Sequence, residues 1–393
     1  MAGRAGEACS SSDGSSVNQT GAIAHGTSLI PGDTATGRQD SIDLVRALGV
    51  LAVIVYHYCY RFPPEYLHNG VHVEAFAFGR LGVNLFFIIS AFCISGSLDR
   101  SRSALQFYSK RVARLYPAYA VCTLLTFAIV TVFGLPGRAV SEKVLTLNLL
   151  WFNMVLPVPH VDGAYWTLLY ELRFYALIGL AYFALRRDYN RVTVFWRIIT
   201  LFGVALHFGA IASEGSDWAA PQRILAANLF LYPFAAYFLL GITLFRWASV
   251  TARHRTINVA LFAFGVMCSE YDWTDKVVCL AFFPLTWLLL RARRLRVPRP
   301  VLHIGLVSYP LYLLHQNIGL VAIRETWPAI NSFAIRAILA FGLVLFGAIL
   351  VNYRIEPLLR RPFEWALLRA GEAVSHFLTV HVRRRERAAD DVA

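Results

Sequence analysis

The stretch Asp43–Tyr60 reads DLVRALGVLAVIVYHYCY and decides how this chain folds. It is almost wholly apolar and close to the length that crosses a bilayer as an α-helix. Arg46 and His57 lie in it eleven positions apart, near three helical turns, so we expect both side chains on one face, about 16 Å apart. Ionisable groups are costly in a membrane, which makes this pair a candidate functional site. The alternatives are a packing histidine and an arginine that anchors the helix at the inner boundary.

Composition places the rest of the chain in the membrane as well. Of the 393 residues, 57% are hydrophobic and only 16% are charged, which is too apolar for a soluble domain. Apolar runs of spanning length predict an all-α, polytopic integral membrane protein with about ten transmembrane helices. The predicted spans are 43–60, 79–98, 115–134, 164–185, 196–213, 225–247, 256–270, 275–290, 301–323 and 332–354.

Charge and composition divide the chain into three parts. Residues 1–40 are rich in Ser, Gly and Thr and are predicted to be a disordered cytoplasmic tail. The membrane domain is expected over 41–360, and 361–393 is expected to be a basic cytoplasmic tail.

Basic residues in the loops predict the orientation. The loops that we place in the cytoplasm hold seventeen Lys and Arg residues, whereas the alternate loops hold seven. We therefore expect a multi-pass protein of the inner cell membrane with both termini cytoplasmic. The lipid bilayer is its expected partner, and this topology explains the net charge of +13 without a nucleic acid.

Five motifs follow one another along the chain: Asp43-Leu-Val-Arg46 with His57, Gly82-Val-Asn84 to Phe92, Phe107 to Pro117, Tyr165 to Tyr175, and Ser308 to His315. Together, over about residues 40–360, they resemble the membrane acyltransferase 3 family. The resemblance implies a ten-helix enzyme that moves an acyl group, most often acetyl, from acyl-CoA to a hydroxyl of a saccharide. Lipid-linked glycans are among the acceptors considered. No Cys or His spacing typical of a metal site occurs in the sequence.

Two residues depart from the family pattern. Asn84 stands where the family commonly has Asp, and Ala91 where it commonly has Gly. An amide keeps a hydrogen-bonding carbonyl but has no charge, so a polar contact survives and a proton transfer does not. Ser90 lacks a nucleophile-elbow pattern and is interpreted as a packing residue.

The chemistry of acyl transfer selects His57 and Glu171 as catalytic candidates. A hydroxyl nucleophile needs a base near physiological pH, and imidazole has a suitable pKa. Glu171 is expected at a similar depth in the fourth span, where it could orient His57. The alternative is a structural pairing of Glu171 with Arg173 or a neighbouring tyrosine.

Arginines near the cytoplasmic side are the candidates for binding the CoA phosphates. Arg111 and Arg114 are spaced i, i+3 and match the family's paired arginines, and guanidinium groups suit phosphate. Arg46 is expected to join them, with Asp43 at a spacing that permits an ion pair. The alternative for these residues is a topology signal only.

Further side chains are assigned supporting roles. Trp166 and Tyr170 are interpreted mainly as interface and packing aromatics. Ser308, Tyr312 and His315 share a helix face, which favours a structural hydrogen-bond network, with acceptor binding as the alternative. For the whole protein, the rival function is a transporter or flippase of a glycan or small acylated molecule, which would not consume acyl-CoA.

The orientation is tested with reporter fusions. Fusions after Arg191 and Arg296 should be fluorescent with a cytoplasmic reporter, and fusions after Arg138 and Gly215 should be active with alkaline phosphatase, which folds only outside. A reversed pair would overturn the orientation.

Overall fold

The fold is built entirely from helices where it is described. The computed structural model describes the backbone of residues 35–154, 156–292 and 295–390, and the side chains of 40–153, 156–292 and 295–374. Within those ranges there is no β-strand, so the all-α prediction is confirmed. Most of the predicted N-terminal tail, residues 1–40, lies outside the described residues, but a helix already begins at Ala35.

We number the described α-helices in chain order. They are α1 (Ala35–Tyr56), α2 (Gly82–Asp99), α3 (Ala104–Phe133), α4 (Glu142–Leu149), α5 (Trp166–Ala184), α6 (Tyr189–Ala212), α7 (Ala219–Asn228), α8 (Ala235–Phe245), α9 (Ala252–Met267), α10 (Trp273–Arg291), α11 (Arg299–Leu306), α12 (Ser308–Leu314), α13 (Asn317–Glu325), α14 (Phe333–Leu350) and α15 (Glu356–Asp390). Short 3₁₀ turns precede α2 and α5, at Glu74–Leu81 and Gly163–Tyr165.

Six helical stretches in the described part of the chain are long and apolar enough to cross a membrane. They are Asp40–Arg61, Glu74–Asp99, Ala104–Phe133, Tyr189–Ala212, Trp273–Arg291 and Phe333–Val374. The membrane class is thus confirmed, whereas the count of ten spans stays a prediction. Every predicted span contains helix, but α9 is short and α5 carries Glu171 and Arg173.

Two predicted spans are broken helices. The span 225–247 divides into α7 and α8, and Pro233 in the connection has no N–H to give to a helix. The span 301–323 divides into α11, α12 and α13, so its prediction as one helix is wrong.

The break between α12 and α13 has a physical cause in other parts of the chain. Tyr58 Oη donates to the carbonyl oxygen of His315 at 2.9 Å, and Tyr165 Oη donates to the carbonyl of Leu313 at 3.1 Å. The backbone N–H of Asn317 donates to Asp162 Oδ2 at 2.9 Å. Broken helices are tolerated at membrane depth where other groups satisfy the freed backbone, as these side chains do.

Glycines let other elements approach helix α1 closely. A Cβ at Gly79 or Gly82 would overlap the carbonyl oxygens of Ala52 or Gly49 on α1. A Cβ at Gly305 of α11 would overlap the carbonyl oxygen of Asp43. Small residues of this kind govern helix packing in membranes, where apolar lipid removes most of the hydrophobic driving force.

The last helices form a continuous rod beside α3. A π-helical turn, Val351–Ile355, joins α14 to α15. The ring of Phe363 on α15 stacks on Tyr116 of α3, with centroids 5.3 Å apart. The predicted C-terminal tail, 361–393, therefore belongs largely to a helix that begins within the membrane domain.

Two of the loops that the charge count assigns to the cytoplasm lie together. Arg187, after α5, donates a hydrogen bond to the backbone carbonyl of Arg102, between α2 and α3. Tyr182 Oη donates to Asp99 Oδ1 at 3.1 Å. Both connections therefore lie at one end of the bundle.

Close helix packing can be tested at Gly241 on α8. A Cβ there would overlap the carbonyl oxygen of Ile88 and the side chain of Ala91 on α2, so Gly241→Ala should reduce the free energy of unfolding by about 1–3 kcal/mol. Gly342→Ala on α14 is the matched control, because no atom lies within 4 Å of its added Cβ. Thermal unfolding in detergent should show a loss only for Gly241→Ala, and equal melting temperatures would contradict the packing argument.

Candidate functional site

Two adjoining cavities lie along α1. The Arg46 cavity, of about 130 Å³, lies beside the middle of α1, where Arg46 is. The His57 cavity, of about 830 Å³, lies at the end that carries His57. Both are lined by Val83 and Tyr312, which form the partition between them. Arg46 of α1 and His57 of the turn that follows α1 thus line two neighbouring cavities.

Three arginines line the Arg46 cavity. Arg46 Nη1 lies 3.4 Å from Asp43 Oδ1, so the expected ion pair forms, and Nη2 lies 3.6 Å from Cys93 Sγ. Arg111 and Arg114 form no ion pair with the described residues, and Arg111 Nε is buried without a hydrogen-bond partner. Guanidinium groups arranged in this way are suited to bind an anion with several oxygens.

The local sequence explains why Arg111 and Arg114 reach the same cavity. Helix α3 begins after Ser103, whose side chain accepts the N–H of Gln106 at 3.2 Å as an N-cap. Positions three apart on a helix share a face, so both guanidinium groups enter the cavity beside Leu115.

Glu171 lies in the Arg46 cavity and not beside His57. Its carboxylate accepts hydrogen bonds from Ser90 Oγ at 2.6 Å and from Tyr175 Oη, and the two hydroxyl oxygens are 3.0 Å apart. Among the described residues no hydrogen bond or ion pair joins Glu171 to His57, so the expected triad-like contact is not formed. The alternative pairing with a neighbouring tyrosine is the one observed.

His57 begins a π-helical turn, His57–Arg61, that continues α1. Single π-helical turns within helices often occur at functional sites. The His57 ring lies 5.0 Å from the ring of His315 and 5.1 Å from that of Tyr56, measured between centroids. Its Nδ1 atom is buried and has no hydrogen-bond partner within the described part of the chain.

The residues Ser308, Tyr312 and His315 do not form one network. Ser308 lines the Arg46 cavity. Tyr312 Oη accepts a hydrogen bond from Thr167 Oγ1 at 2.9 Å and donates to the carbonyl of Ala164 at 3.1 Å. His315 is fully buried, with Nδ1 2.6 Å from the Tyr312 carbonyl oxygen. The expected side-chain network is therefore replaced by bonds to α5 and to the backbone.

Asn84 acts as a donor in a buried polar cluster. Its Nδ2 lies 3.3 Å from Cys279 Sγ and 3.4 Å from Tyr271 Oη, and the residue is 1% exposed. A carboxylate at this position would have no N–H to offer. The acid of this region is Asp275, which forms an ion pair with Arg80.

Trp166 and Tyr170 have different environments. Trp166 lines the His57 cavity and is 39% exposed. Tyr170 packs on Phe234 with centroids 4.9 Å apart, and Arg173 lies over its other side, 5.8 Å from the ring centroid. Trp166 is thus available to a ligand, whereas Tyr170 is a packing residue.

Asp162 is a site residue that the sequence analysis missed. It is 1% exposed, and its oxygens accept the N–H groups of Ala164 at 2.8 Å and Asn317 at 2.9 Å. Burial raises the pKa of the Asp162 carboxyl to about 6, although both backbone hydrogen bonds lower it. Asp162 therefore fixes the starts of α5 and α13, and with them Gly163 and Gln316 at the cavity. Its only sequence signal is an acid followed by Gly before a predicted span.

Basic side chains of the His57 cavity were also missed as site residues. In the sequence they are part of the smaller set of basic residues, in the loops predicted to lie outside. The four arginines that line this cavity are Arg61, Arg80, Arg138 and Arg223.

Comparison with known proteins agrees with the motifs. A family model described as an acyltransferase domain, acyltransferase 3, matches residues 39–353. The O-acetyl transferase of Shigella phage Sf6 is 26% identical over 273 residues, which cover 63% of this chain and 75% of that protein.

Two other relatives match over shorter lengths. Nodulation protein 10 of Rhizobium leguminosarum bv. viciae is 27% identical over 169 residues, covering 37% of this chain and 45% of that protein. O-acetyltransferase OatA of Staphylococcus aureus (strain NCTC 8325 / PS 47) is 26% identical over 186 residues, covering 42% of this chain and 28% of OatA. The chain thus spans less than half of either relative. No solved structure matches it.

The family match extends from the N-terminal part of α1 to the π-helical turn after α14 and includes both cavities. Since it covers well over half of the chain, this protein belongs to the acyltransferase 3 family and is a membrane acyltransferase.

Proposed function

We propose that this protein transfers an acetyl group from acetyl-CoA to a hydroxyl of a saccharide. The observation that carries the proposal is the pair of adjoining cavities, one lined by three guanidinium groups, two of them without an ion pair among the described residues, and one lined by an imidazole. The names of the phage and staphylococcal relatives support acetyl as the acyl group and oxygen as the acceptor atom.

The Arg46 cavity is the proposed donor site. Coenzyme A carries several phosphates, and Arg46, Arg111 and Arg114 supply guanidinium groups that bind phosphate oxygens in pairs. The cavity is small, at about 130 Å³, compared with about 830 Å³ for the His57 cavity, which leaves the larger space for a sugar ring. The proposed orientation places this end at the cytoplasmic face of the inner membrane, where acetyl-CoA is available.

The His57 cavity is the proposed acceptor site, and His57 is the proposed base. The imidazole removes the proton from the acceptor hydroxyl as its oxygen forms a bond to the thioester carbonyl carbon. The carbon–sulfur bond then breaks, and the proton passes from His57 to the departing CoA thiolate. The acyl group crosses the partition at Val83 and Tyr312, so a glycan, including a lipid-linked one, would be acetylated from the outer side.

His315 replaces Glu171 as the proposed orienting group. Its Nδ1 faces the Tyr312 carbonyl oxygen, which only accepts, so Nδ1 carries the proton of the neutral ring and Nε2 has the lone pair. That Nε2 is buried without a partner, as is His57 Nδ1 in the ring 5.0 Å away. A small ring rotation would let His315 Nε2 accept from His57 Nδ1–H. His57 Nε2 is then the basic nitrogen, in the manner of a triad histidine.

Replacing His57 tests the proposed base. His57→Gln keeps most of the volume and the hydrogen bonding but cannot take up a proton, so turnover should fall by about 10²- to 10⁴-fold. The measurement is release of CoA from acetyl-CoA by purified protein with a saccharide acceptor. The turnover of His315→Gln should fall by less, about tenfold, because the glutamine side-chain oxygen can still accept a hydrogen bond from His57.

His207→Gln is the matched control for this experiment. His207 also lines the His57 cavity, but its ring stacks on Tyr232 with centroids 4.2 Å apart. This variant should retain turnover. Full activity of a folded His57→Gln protein would remove the imidazole from the mechanism, and glycan movement without CoA release would favour a transporter.

A double substitution tests the donor site. Arg111→Gln with Arg114→Gln should raise the KM for acetyl-CoA about 10²- to 10⁴-fold, because each of the two lost charge-assisted bonds contributes about 1.5–3 kcal/mol. The KM for the acceptor should change little. Lys110→Gln, on the same helix but outside the cavity lining, is the control. An unchanged KM for acetyl-CoA in the double variant would leave these arginines as topology signals.

A further inference from the structure

The four arginines of the His57 cavity are not electrostatically equivalent. Arg80 is paired with the carboxylates of Asp275 and Asp272, the latter at 3.8 Å. Arg223 is paired with Glu214 at 2.9 Å. These two charges are compensated by the protein itself. Glu270, the carboxylate in the cavity lining, lies 3.6 Å from His207, so Arg61 and Arg138 are the two arginines of the lining without an ion-pair partner among the described residues.

Arg61 and Arg138 share one aromatic ring. The guanidinium carbon of Arg61 lies 5.7 Å from the centroid of Phe62, and that of Arg138 lies 5.2 Å from it. Neither forms an ion pair with the side chains that the structure describes. Two like charges held beside one ring repel each other, and cation–π contacts offset only part of that repulsion.

The position of Arg138 depends on Gly163. A Cβ at Gly163 would lie 2.8 Å from Arg138 Nη1 and 2.7 Å from Gln316 Nε2. Without a side chain at this position, a guanidinium and an amide can approach the same point of the backbone. N–H donors from two distant parts of the chain are thereby gathered beside His57 in one cavity.

We propose that the acceptor carries an anionic group, a carboxylate or a phosphate, which Arg61 and Arg138 bind while His57 faces the reacting hydroxyl. This inference rests on the proposed function and adds the charge of the acceptor to it. Asp162 interacts with Arg138 at longer range, but its oxygens accept backbone N–H groups and form no ion pair with it, so a bound oxyanion would be the direct partner of the two guanidinium groups. Guanidinium groups bind both oxyanions through paired N–H bonds, so an acidic sugar and a phosphorylated one share the required chemistry.

The test compares sugars that differ in one charged group. Cellobiuronic acid is paired with cellobiose for the carboxylate, and glucose 6-phosphate with glucose for the phosphate. Binding to the purified full-length protein is measured by saturation-transfer NMR without acetyl-CoA. We expect at least one charged member to bind about tenfold more tightly than its neutral partner, with a preference that declines as salt is added. The arm that shows the preference identifies the oxyanion.

Variants of the arginines complete the experiment. Arg61→Gln with Arg138→Gln should abolish the preference for the charged sugar, whereas Arg223→Gln, in the same cavity but paired with Glu214, should keep it. Equal binding of charged and neutral sugars in both arms, or an unchanged preference in the double variant, would overturn the inference. CoA release is measured separately from sugar binding. If the protein prefers the charged sugar but releases no CoA, this result would count against the proposed function and not against the charge of the acceptor.

Discussion

The close approach of backbone to backbone around α1 is the constraint on which the site depends. Gly79 and Gly82 bring the start of α2 against it, Gly305 brings α11, and Gly319 lets Tyr58 lie against α13. A Cβ at any of these positions would overlap atoms of α1 or of the π-helical turn that continues it. In a membrane, such contacts take the place of hydrophobic burial as the source of helix association. Because α1 is enclosed on several sides, its polar side chains face cavities formed with other helices.

The sequence was sufficient for features that depend on local composition. The apolar run from Asp43 predicted α1, and the i, i+3 spacing predicted that Arg111 and Arg114 share a face. Features that depend on contacts between distant segments could not be read from it. Glu171 is paired with Ser90 on another helix, and the predicted ninth span is divided because side chains far away in the sequence bind its backbone. The hydrophobic periodicity of a segment predicts that it is helical, but it does not predict which distant side chains will bind to its backbone.

The residues around position 84 explain why Asn can replace the Asp that is common in the family. Asn84 is buried and presents an N–H to a thiol and to a phenol oxygen. Asp275, four residues before Cys279 on α10, is 1% exposed and paired with Arg80. A second carboxylate in this cluster would be a buried charge of the same sign as Asp275, which is costly without its own partner. An amide at position 84 is therefore compatible with the charges of this cluster.

The two cavities also separate charges that would otherwise interfere with each other. A general base loses its function when a neighbouring anion holds its proton, and the CoA phosphates are such anions. Arg46 and His57 are close to three helical turns apart, so in the proposed mechanism phosphates held by Arg46 would stay about 16 Å from the imidazole, with Val83 and Tyr312 between the cavities. Only the uncharged thioester end of the proposed donor would need to reach the partition. The proposed transfer from one face of the membrane to the other depends on this separation of a charged donor from the base.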